Sequence, residues 1–453
     1  MYKKTRFATW SFLALLVSVP TVAAAQPNYQ DDPAIVKTLQ QLESGHSAVL
    51  PPVNVQCGEI DKWNFPKRGP GQRDYCNKMP YAADRGTALY AGGNHQVPHR
   101  MNDVWEYHLG SNTWHMLYAP DGGNPGEHKG AYFLTSRTLV RDPGKELSEK
   151  ETDQIAAYRK WWEKNVIFQD GHLCTTNGGP IMPAHTWDAF TYDLSAGRLL
   201  WGMGASPAGQ LSTQAYFTGK SIEYWEKLPD ESYTPMWMFD PDTKKWIHYR
   251  TDDAHAALRG MGATMCYLPD RKQSIWYVAA QNVSPAAYEM WLFDAVKDQW
   301  TELKPNGGKS IGELAGKEKV APMSEVQTAY SPKHQKMVAV LKEEVYVYDV
   351  PKNTWEKVTT DDRIYAHDAK SIFVYDEAAD VFLLANPKGD TKLAAFSLAT
   401  NKWDILTPNG PGFPESKYGS YMGYYDPQHN VFVVQGRYAD SMWVYRHANQ
   451  VDR

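Results

Sequence analysis

Apolar and polar residues alternate from residue 344 to residue 358, and this alternation predicts two antiparallel strands joined by a tight turn. The turn falls at Pro351-Lys352-Asn353, and the second strand contains Trp355. The same arrangement recurs along the chain, with an aromatic residue, a polar residue and then a Trp six places further on. The five copies are Tyr107-His108 with Trp114, Phe239-Asp240 with Trp246, Phe293-Asp294 with Trp300, Tyr348-Asp349 with Trp355, and Phe396-Ser397 with Trp403. This recurrence predicts a protein built from repeated hairpins.

The repeats have a period of about 50 residues, which leaves room for four short strands in each. Such a period predicts a β-propeller, whose blades bury their aromatic side chains by stacking on one another. The runs LYAGGNH, NDVWEYH and NTWHML, between residues 89 and 117, resemble kelch repeats, in which Gly-Gly after the second strand lets the backbone turn sharply. The resemblance implies an all-β, kelch-type β-propeller. Six blades can be counted directly, and seven are possible.

The two ends of the chain are predicted to close the ring together. Residues 60–65 resemble the Trp-bearing fourth strand of a blade that has no preceding strands. Residues 418–426, 431–436 and 442–445 have the pattern of the first three strands of a last blade, after which the chain stops. We therefore expect an N-terminal strand to complete the last blade, which leaves no exposed sheet edge.

Two segments depart from the strand pattern. Residues 33–42 are predicted to form a short helix outside the ring. Residues 119–184 form the main irregularity, and residues 146–168 within them are amphipathic with acidic residues at the start, which predicts a longer helix. This helical insertion is either a lid or wall beside a functional face, or a degenerate extra blade.

The N-terminus has the features of a cleavable secretory signal in residues 1–25. Lys3, Lys4 and Arg6 precede a short apolar run, and Ala23-Ala24-Ala25 ends it. We expect residues 26–453 to form a single propeller domain that is secreted or periplasmic, with no membrane partner. The formal net charge of -5 also argues against nucleic acid as a partner.

The four cysteines leave two alternatives open in an oxidising compartment. Cys57 and Cys76 bracket a Gly- and Pro-rich loop and are the favoured disulfide pair. Alternatively, His172, Cys174 and Cys266 could hold a structural metal ion, zinc or calcium, because His-x-Cys can place two ligands on one loop. No cofactor is required by the chemistry that we consider next.

One face of the predicted propeller collects most of the candidate functional residues. In kelch geometry, the loop before the first strand and the loop after the second strand of each blade emerge on the same face. The long loop of residues 205–234 is expected to rise beside this face. The candidate catalytic residues there are His95, His185, Tyr233 and Arg259, and the candidate substrate-binding residues are Asn94, His99, Asn102, His367, Tyr418 and Arg437.

These residue types suit lysis of a uronic-acid polysaccharide by β-elimination. That reaction needs a cation beside the carboxylate, a base for the C5 proton and an acid for the leaving oxygen. The motifs GGNH with His95, AHTWDAFTYD with His185, and Arg259 resemble the propeller-fold ulvan lyases. The resemblance implies that His and Tyr act as base and acid while Arg neutralises the carboxylate, with Tyr233 and Tyr249 both candidates for the Tyr. An acidic polysaccharide is then the expected partner of a monomer.

Two other functions fit the same fold. A non-catalytic carbohydrate- or protein-binding propeller would use exposed aromatic residues in the long loop, which are Tyr216, Phe217, Tyr224, Trp225 and Tyr233. A galactose-oxidase-like oxidase would need a Cys crosslinked to a Tyr and two His ligands, for which Cys174 and Cys266 are the available cysteines. We rank the lyase first, the binding propeller second and the oxidase third.

The repeated residues also have structural interpretations. Asp240, Asp294 and Asp349 recur at a turn in each blade and are expected to cap backbone N–H groups. The Trp series is expected in the core. His95 could equally cap the amides of its turn, and His185 could equally hydrogen-bond to a neighbouring blade.

Overall fold

The computed structural model describes residues 28–71, 73, 76–92, 101–121, 125–169, 172–181, 186–202, 208–221, 224, 236–248, 263–278, 289–307, 326–366, 371–385, 393–415 and 421–448. Within these ranges, six antiparallel blades of four strands form, and a small separate hairpin accompanies them. The six-bladed β-propeller and its helical insertion confirm the predicted all-β fold.

The elements follow the chain from the N-terminus. Helix α1 (Pro33–Gln41) and strands β1 (Ser47–Pro52) and β2 (Asn54–Gln56) come first, followed by the short helix α2 (Phe65–Arg68). The first blade has strands β3 (Tyr81–Ala82), β4 (Thr87–Tyr90), β5 (Val104–His108) and β6 (Thr113–Tyr118), and the separate hairpin has β7 (Val166–Gln169) and β8 (His172–Thr175). Strand β2 adds to β6 in parallel at the edge of the first blade.

Five further blades complete the ring. Their strands are β9 (Phe190–Asp193), β10 (Arg198–Gly202), β11 (Met236–Asp240) and β12 (Lys245–His248) in the second; β13 (Ala263–Leu268), β14 (Gln273–Val278), β15 (Glu289–Asp294) and β16 (Gln299–Glu302) in the third; β17 (Gln327–Ser331), β18 (Lys336–Leu341), β19 (Glu344–Asp349) and β20 (Thr354–Thr360) in the fourth; β21 (Ile372–Asp376), β22 (Val381–Ala385), β23 (Leu393–Ser397) and β24 (Lys402–Leu406) in the fifth; and β25 (Tyr421–Asp426), β26 (Val431–Gly436) and β27 (Ser441–Tyr445) in the sixth. The first strand of each blade lies innermost.

The recurring aromatic and Trp residues are cross-strand partners. In each of the first five blades they lie opposite each other on the third and fourth strands. Their ring centroids are between 4.4 Å apart, for Phe293 and Trp300, and 5.2 Å apart, for Phe396 and Trp403. Such pairs stabilise a hairpin beyond the area that they bury. The predicted hairpins are therefore confirmed, and the spacing is explained by the register.

The recurring aspartates close the turns, as expected. The Oδ1 atoms of Asp294 and Asp349 each accept a hydrogen bond from the backbone N–H three residues later, at 3.0 Å. Asp240 accepts two such bonds. The last residue of several turns has a positive φ, for example 54° at Asn353, a conformation that Asn tolerates better than most residues.

The ring is closed by an N-terminal strand, but not by the predicted one. Strand β1 pairs with β27, with Ser47 opposite Tyr445, and forms the fourth strand of the sixth blade. Residues 60–65 do not form that strand. Trp63 and Asn64 have left-handed φ values of 58° and 61°, and α2 begins at the next residue with a proline in its first turn, where proline favours a helix.

The insertion forms a helical unit rather than a seventh blade in the part of 119–184 that the structure describes. It contains helix α3 (Pro125–Phe133), a π-helical turn (Leu134–Thr138), α4 (Leu139–Arg141) and α5 (Glu149–Asn165). Helix α5 begins with a capping box between Ser148 and Glu151. Helix α6 (Ala208–Thr218) comes from the long loop after β10 and packs on this unit, where Trp162 Nε1 donates to Gln214 Oε1 at 2.6 Å. The insertion and the described part of the long loop thus form one helical unit.

No helix among the described residues is long and apolar enough to span a membrane.

Candidate functional site

Most residues predicted for the functional face lie outside the described residues. They are His95, His185, Tyr233 and Arg259 of the proposed catalytic set, the alternative Tyr249, and Asn94, His99, His367 and Tyr418 of the substrate-binding set. The secretory signal in residues 1–25 also lies outside them. The catalytic assignment therefore stays a prediction.

Asn102 is described, and the structure places it in the interior. It is fully buried, its Nδ2 donates to Asp121 Oδ1 at 2.6 Å, and its Oδ1 accepts from the backbone N–H of Asp121 at 3.1 Å. Asp121 also accepts from Tyr118 and Thr175, each at 2.9 Å. Asn102 therefore joins the first blade to the base of the insertion, and its burial argues against the predicted contact with a substrate.

Arg437 lies on the predicted face, in the turn between β26 and β27. Its guanidinium carbon is 5.6 Å from the ring centroid of Tyr438, a side chain that is 50% exposed. Arg68, at the end of α2, is 5.1 Å from the same ring. Sequence reasoning missed Arg68 because residues 60–65 were assigned to a strand, which left no reason to bring the following residues to this face.

A buried cluster supports the start of the loop that carries His95. Arg73 Nη2 pairs with Asp103 Oδ2 at 2.5 Å, with both side chains fully buried, and Nη1 donates to the carbonyl of Gly92 at 2.9 Å. Trp105 Nε1 also donates to Asp103, at 2.6 Å. Burial alone would lower the pKa of Arg73, but the charge of Asp103 raises it above its ordinary value. The cluster fixes the backbone at Gly92.

The structure does not contain the predicted disulfide. Cys57 Sγ and Cys76 Sγ are not bonded to each other, and each donates to a carbonyl instead, of Ile60 at 3.4 Å and of Ala91 at 2.9 Å. Both lie in the core of the first and sixth blades, where burial raises the pKa of the Cys76 thiol to about 12. A buried thiol of this kind behaves as a small apolar side chain.

The three predicted metal ligands are not brought together. His172 packs its ring against Trp237, with centroids 5.6 Å apart. Cys174 belongs to the apolar core between the first and second blades, whereas Cys266 belongs to the core between the third and fourth. Among the described residues, no group of three His, Cys, Asp or Glu side chains could hold a metal ion. The described part of the chain therefore offers no zinc or calcium site at these residues.

A cavity occupies the centre of the ring, and its volume is about 380 Å³. The innermost strands of all six blades line it, together with the turns that follow them. The turn residues are Ala83, Leu194, Pro269, Pro332, Glu377 and Pro427. Several of these are exposed, so the cavity reaches the surface on the side of these turns. That side is opposite the face where sequence reasoning placed the functional residues.

Polar side chains gather where the innermost strands begin, at the other end of the cavity. We call this set the polar belt, and its members are Asn77, Lys78, Asp188, Gln327, Thr328 and Ser371. Lys78 Nζ donates to Asp188 Oδ2 at 3.1 Å and to the carbonyl of Met265 at 2.6 Å. The Ser371 carbonyl accepts from Asn77 Nδ2 at 3.0 Å and from Gln327 Nε2 at 2.7 Å. The belt thus links five blades across the channel.

The electrostatics of the belt centre on Asp188. Burial raises the pKa of this carboxyl, while Lys78 and hydrogen bonds from Thr264 and Thr328 act in the opposite direction. Gln327 differs, because its Oε1 is buried and has no hydrogen-bond donor among the described residues. A buried amide oxygen without a donor is costly, so a bound group that donates to it would favour a turn of this side chain toward the cavity.

Tyrosines form much of the cavity wall between the belt and the turns. Two of them join neighbouring blades, since Tyr192 donates to Asp84 at 3.0 Å and Tyr330 donates to Asp270 at 2.7 Å. The rings of Tyr81 and Tyr424 stack across the first and sixth blades, with centroids 6.1 Å apart. The cavity therefore combines fixed aromatic walls with a polar end.

The chain has a low similarity to solved structures. No protein-family model and no curated protein matches the sequence. Two similar solved structures are auxiliary nutrient binding proteins from Bacteroides thetaiotaomicron and Bacteroides ovatus. The first is 8% identical with a TM-score of 0.46, and the match covers 88% of this chain and 76% of that chain. The second is 9% identical with a TM-score of 0.46 and the same coverage.

Proposed function

We propose that this protein is a non-catalytic carbohydrate-binding propeller that acts outside the cytoplasm and takes a sugar unit in its central cavity. The observation that carries the proposal is the cavity itself, with tyrosine walls and a polar belt at one end. Its volume of about 380 Å³ falls in the range of small-molecule sites, which are mostly apolar with a few fixed polar groups.

The polar belt suits binding better than acid–base chemistry. Its carboxylate, Asp188, already accepts hydrogen bonds from Lys78 and from the backbone N–H of Thr328, at 3.1 and 3.2 Å. A general base needs a lone pair directed at the proton that it removes. Gln327, in contrast, lines the cavity, and its buried Oε1 has no donor among the described residues, so a sugar hydroxyl would satisfy it once the side chain turns toward the cavity.

Calorimetric titration of the purified protein with a panel of neutral and acidic mono- and oligosaccharides tests the proposal. We expect a sugar that binds to the wild type to bind at least about tenfold more weakly to Gln327→Leu, a loss of about 1.4 kcal/mol. Gln299→Leu, on the exposed edge of β16, is the matched control and should bind as the wild type does. The proposal fails if no sugar binds, or if Gln327→Leu binds unchanged.

The lyase predicted from the sequence is tested in the same preparation. Near-ultraviolet absorbance is followed while the protein acts on ulvan, alginate, pectate and glycosaminoglycans, beside His185→Ala and Arg259→Ala. β-Elimination leaves an unsaturated uronate that absorbs, whereas binding alone gives a flat trace. A rise that both variants abolish would replace the binding proposal with the lyase.

A further inference from the structure

Two arginines flank one exposed tyrosine on the face opposite the mouth of the cavity. The guanidinium carbons of Arg68 and Arg437 lie 5.1 and 5.6 Å from the centroid of the Tyr438 ring. Arg68 comes from the N-terminal segment and Arg437 from the last blade, so closure of the ring brings them together. Their charges have the same sign, so an anion that reaches this place is attracted by both.

Arg68 has no carboxylate partner among the described residues. Its Nη1 donates to the carbonyl of Arg437 at 3.3 Å, and its Nε is buried without a hydrogen-bond acceptor. Burial and the charge of Arg437 both lower the pKa of Arg68, which is the direction expected for a cation that is not neutralised. An arginine normally finds acceptors for its five N–H groups. The Nε–H of Arg68 is closed to a ligand and one Nη1–H is bonded to Arg437, so the second Nη1–H and the two Nη2–H groups are the ones that could meet an anion.

The position of Arg68 is fixed by the backbone around it. Gln435 Nε2 donates to the carbonyl of Arg68 at 3.2 Å, and Gln435 is fully buried. Gly69 ends α2 by donating to the carbonyl of Phe65 at 2.9 Å. At Gly71, which has a φ of 63°, an added Cβ would lie 3.2 Å from Arg68 Nε, so the chain passes close to the guanidinium. The site is therefore held in place before any ligand arrives.

We propose that Arg68, Arg437 and Tyr438 form a binding site for an anionic group, the carboxylate or sulfate of an acidic sugar. Guanidinium groups bind both anions through paired N–H donors, and the Tyr438 ring that both guanidinium groups contact is 50% exposed, so the site can be reached from solvent. The choice of a sugar as the carrier rests on the proposed function, whereas anion binding itself does not. The site and the cavity lie at opposite faces, so each can be removed without the other.

Calorimetric titration at low salt tests the site with three probes, which are trigalacturonate, a sulfated chondroitin disaccharide and neutral galactotriose. We expect Arg68→Gln to weaken binding of the anionic probe at least about tenfold and to reduce its salt dependence. Lys67→Gln removes the same charge from the neighbouring exposed residue and should stay within about twofold of the wild type. Arg68→Lys should recover part of the affinity. Melting temperatures confirm that each variant is folded.

Each result has a defined meaning. Binding of the uronate alone identifies a carboxylate site, binding of the sulfated probe alone identifies a sulfate site, and binding of both identifies a general anion site. The proposal is overturned if neither anionic probe binds, if Arg68→Gln binds like the wild type, or if Lys67→Gln weakens binding equally. Anion binding that survives in Gln327→Leu while the cavity sugar is lost separates this site from the proposed function.

Discussion

The buried carboxylate of Glu106 in the first blade is paired with an arginine and with two hydroxyl groups. Glu106 is fully buried, and its two oxygens accept from Arg85 at 2.6 and 3.0 Å, from Thr87 at 2.6 Å and from Tyr29 at 2.6 Å. Arg85 also pairs with Asp242 of the second blade. One carboxylate therefore organises contacts among the N-terminal segment and two blades, and its charge state affects all of them.

The stability of the fold should depend on the ionisation of Glu106. Burial alone would raise the pKa of this carboxyl, but Arg85, Thr87 and Tyr29 hold it below its ordinary value. The carboxylate therefore contributes stability that is complete above the unfolded-state pKa of about 4.3 and is lost as the pH falls through the lower pKa of the folded protein. We expect Glu106→Gln to be about 3–5 kcal/mol less stable at pH 7 and to lose less of its stability on acidification.

Urea denaturation from pH 7 to pH 3 measures both effects. Glu302→Gln is the matched control, because the ion pair of Glu302 with Lys304 is exposed and such pairs contribute about 0–1 kcal/mol. Equal pH dependence in the wild type and Glu106→Gln would contradict the assignment.

One strand of the second blade makes a close contact with one strand of the third blade. Strand β10 ends at Gly202, where an added Cβ would lie 1.8 Å from Trp276 Cζ3 on β14 of the third blade. Trp276 is fully buried, so its ring has little space to move. The glycine at the end of one strand thus makes room for a tryptophan of the next blade.

Replacing this glycine should destabilise the junction between the second and third blades. We expect Gly202→Ala to lower the free energy of unfolding by about 1–3 kcal/mol, since the new methyl group would displace Trp276. Gly412→Ala is the control, because no atom lies within 4 Å of its added Cβ and its effect should be small. Thermal melts, with Trp fluorescence to follow the environment of Trp276, measure the difference. Equal melting temperatures for the two variants would rule out a close contact.

Elements that depend on residues close together in the sequence could be predicted, and elements that depend on distant residues could not. The hairpins were predicted because Tyr348 and Trp355 are seven positions apart and face each other directly. Helix α5 was predicted from the amphipathic pattern of its own segment. Its start is also determined locally, because the capping box spans only four residues. The Trp-bearing pattern at Trp63 was misleading, because a pattern without a neighbouring strand cannot show whether a partner exists.

The ring is closed by contacts between the N-terminal segment, which includes α1 and β1, and the C-terminal segment. We call these contacts the joint. Helix α1 and strand β1 contribute Ile35, Leu39 and Leu50 to the core that lies between the first and sixth blades. Arg446 Nη2 donates to the carbonyl of Leu39 at 2.9 Å, which ties the C-terminal segment to α1. Removing β1 would expose the backbone edge of β27 to solvent and to other molecules.

A chain that begins at residue 54 should lose this joint. We expect a lower melting temperature, a broader unfolding transition and concentration-dependent self-association, compared with a chain that begins at residue 28. A synthetic peptide of residues 28–53 should restore the transition when it is added. Val49→Lys in the longer chain is the control, because Val49 is 52% exposed and the strand itself is kept. Calorimetry measures the unfolding transition, and size-exclusion chromatography measures self-association. An unchanged transition in the shorter chain would contradict the role of β1.

The functional features could not be read from the sequence because they arise only from the assembled ring. The cavity is lined by one short strand from each of six blades, and no local pattern marks Gln327 or Lys78 as facing it. Arg68 and Tyr438 are brought together only by closure. Local spacing therefore predicted the repeating part of the molecule, whereas the sites depend on contacts between distant segments.

The pairing of β1 with β27 also sets the order of events during folding. Ser47 and Tyr445 are separated by about 400 residues, and bringing such distant segments together costs about 5 kcal/mol of loop-closure entropy, plus a constant. Strand β1 is synthesised about 400 residues before its partner β27. Blades built from local hairpins can form early, while β1 remains unpaired. We expect closure to be the slowest step of refolding, with the ring open until β27 has been synthesised.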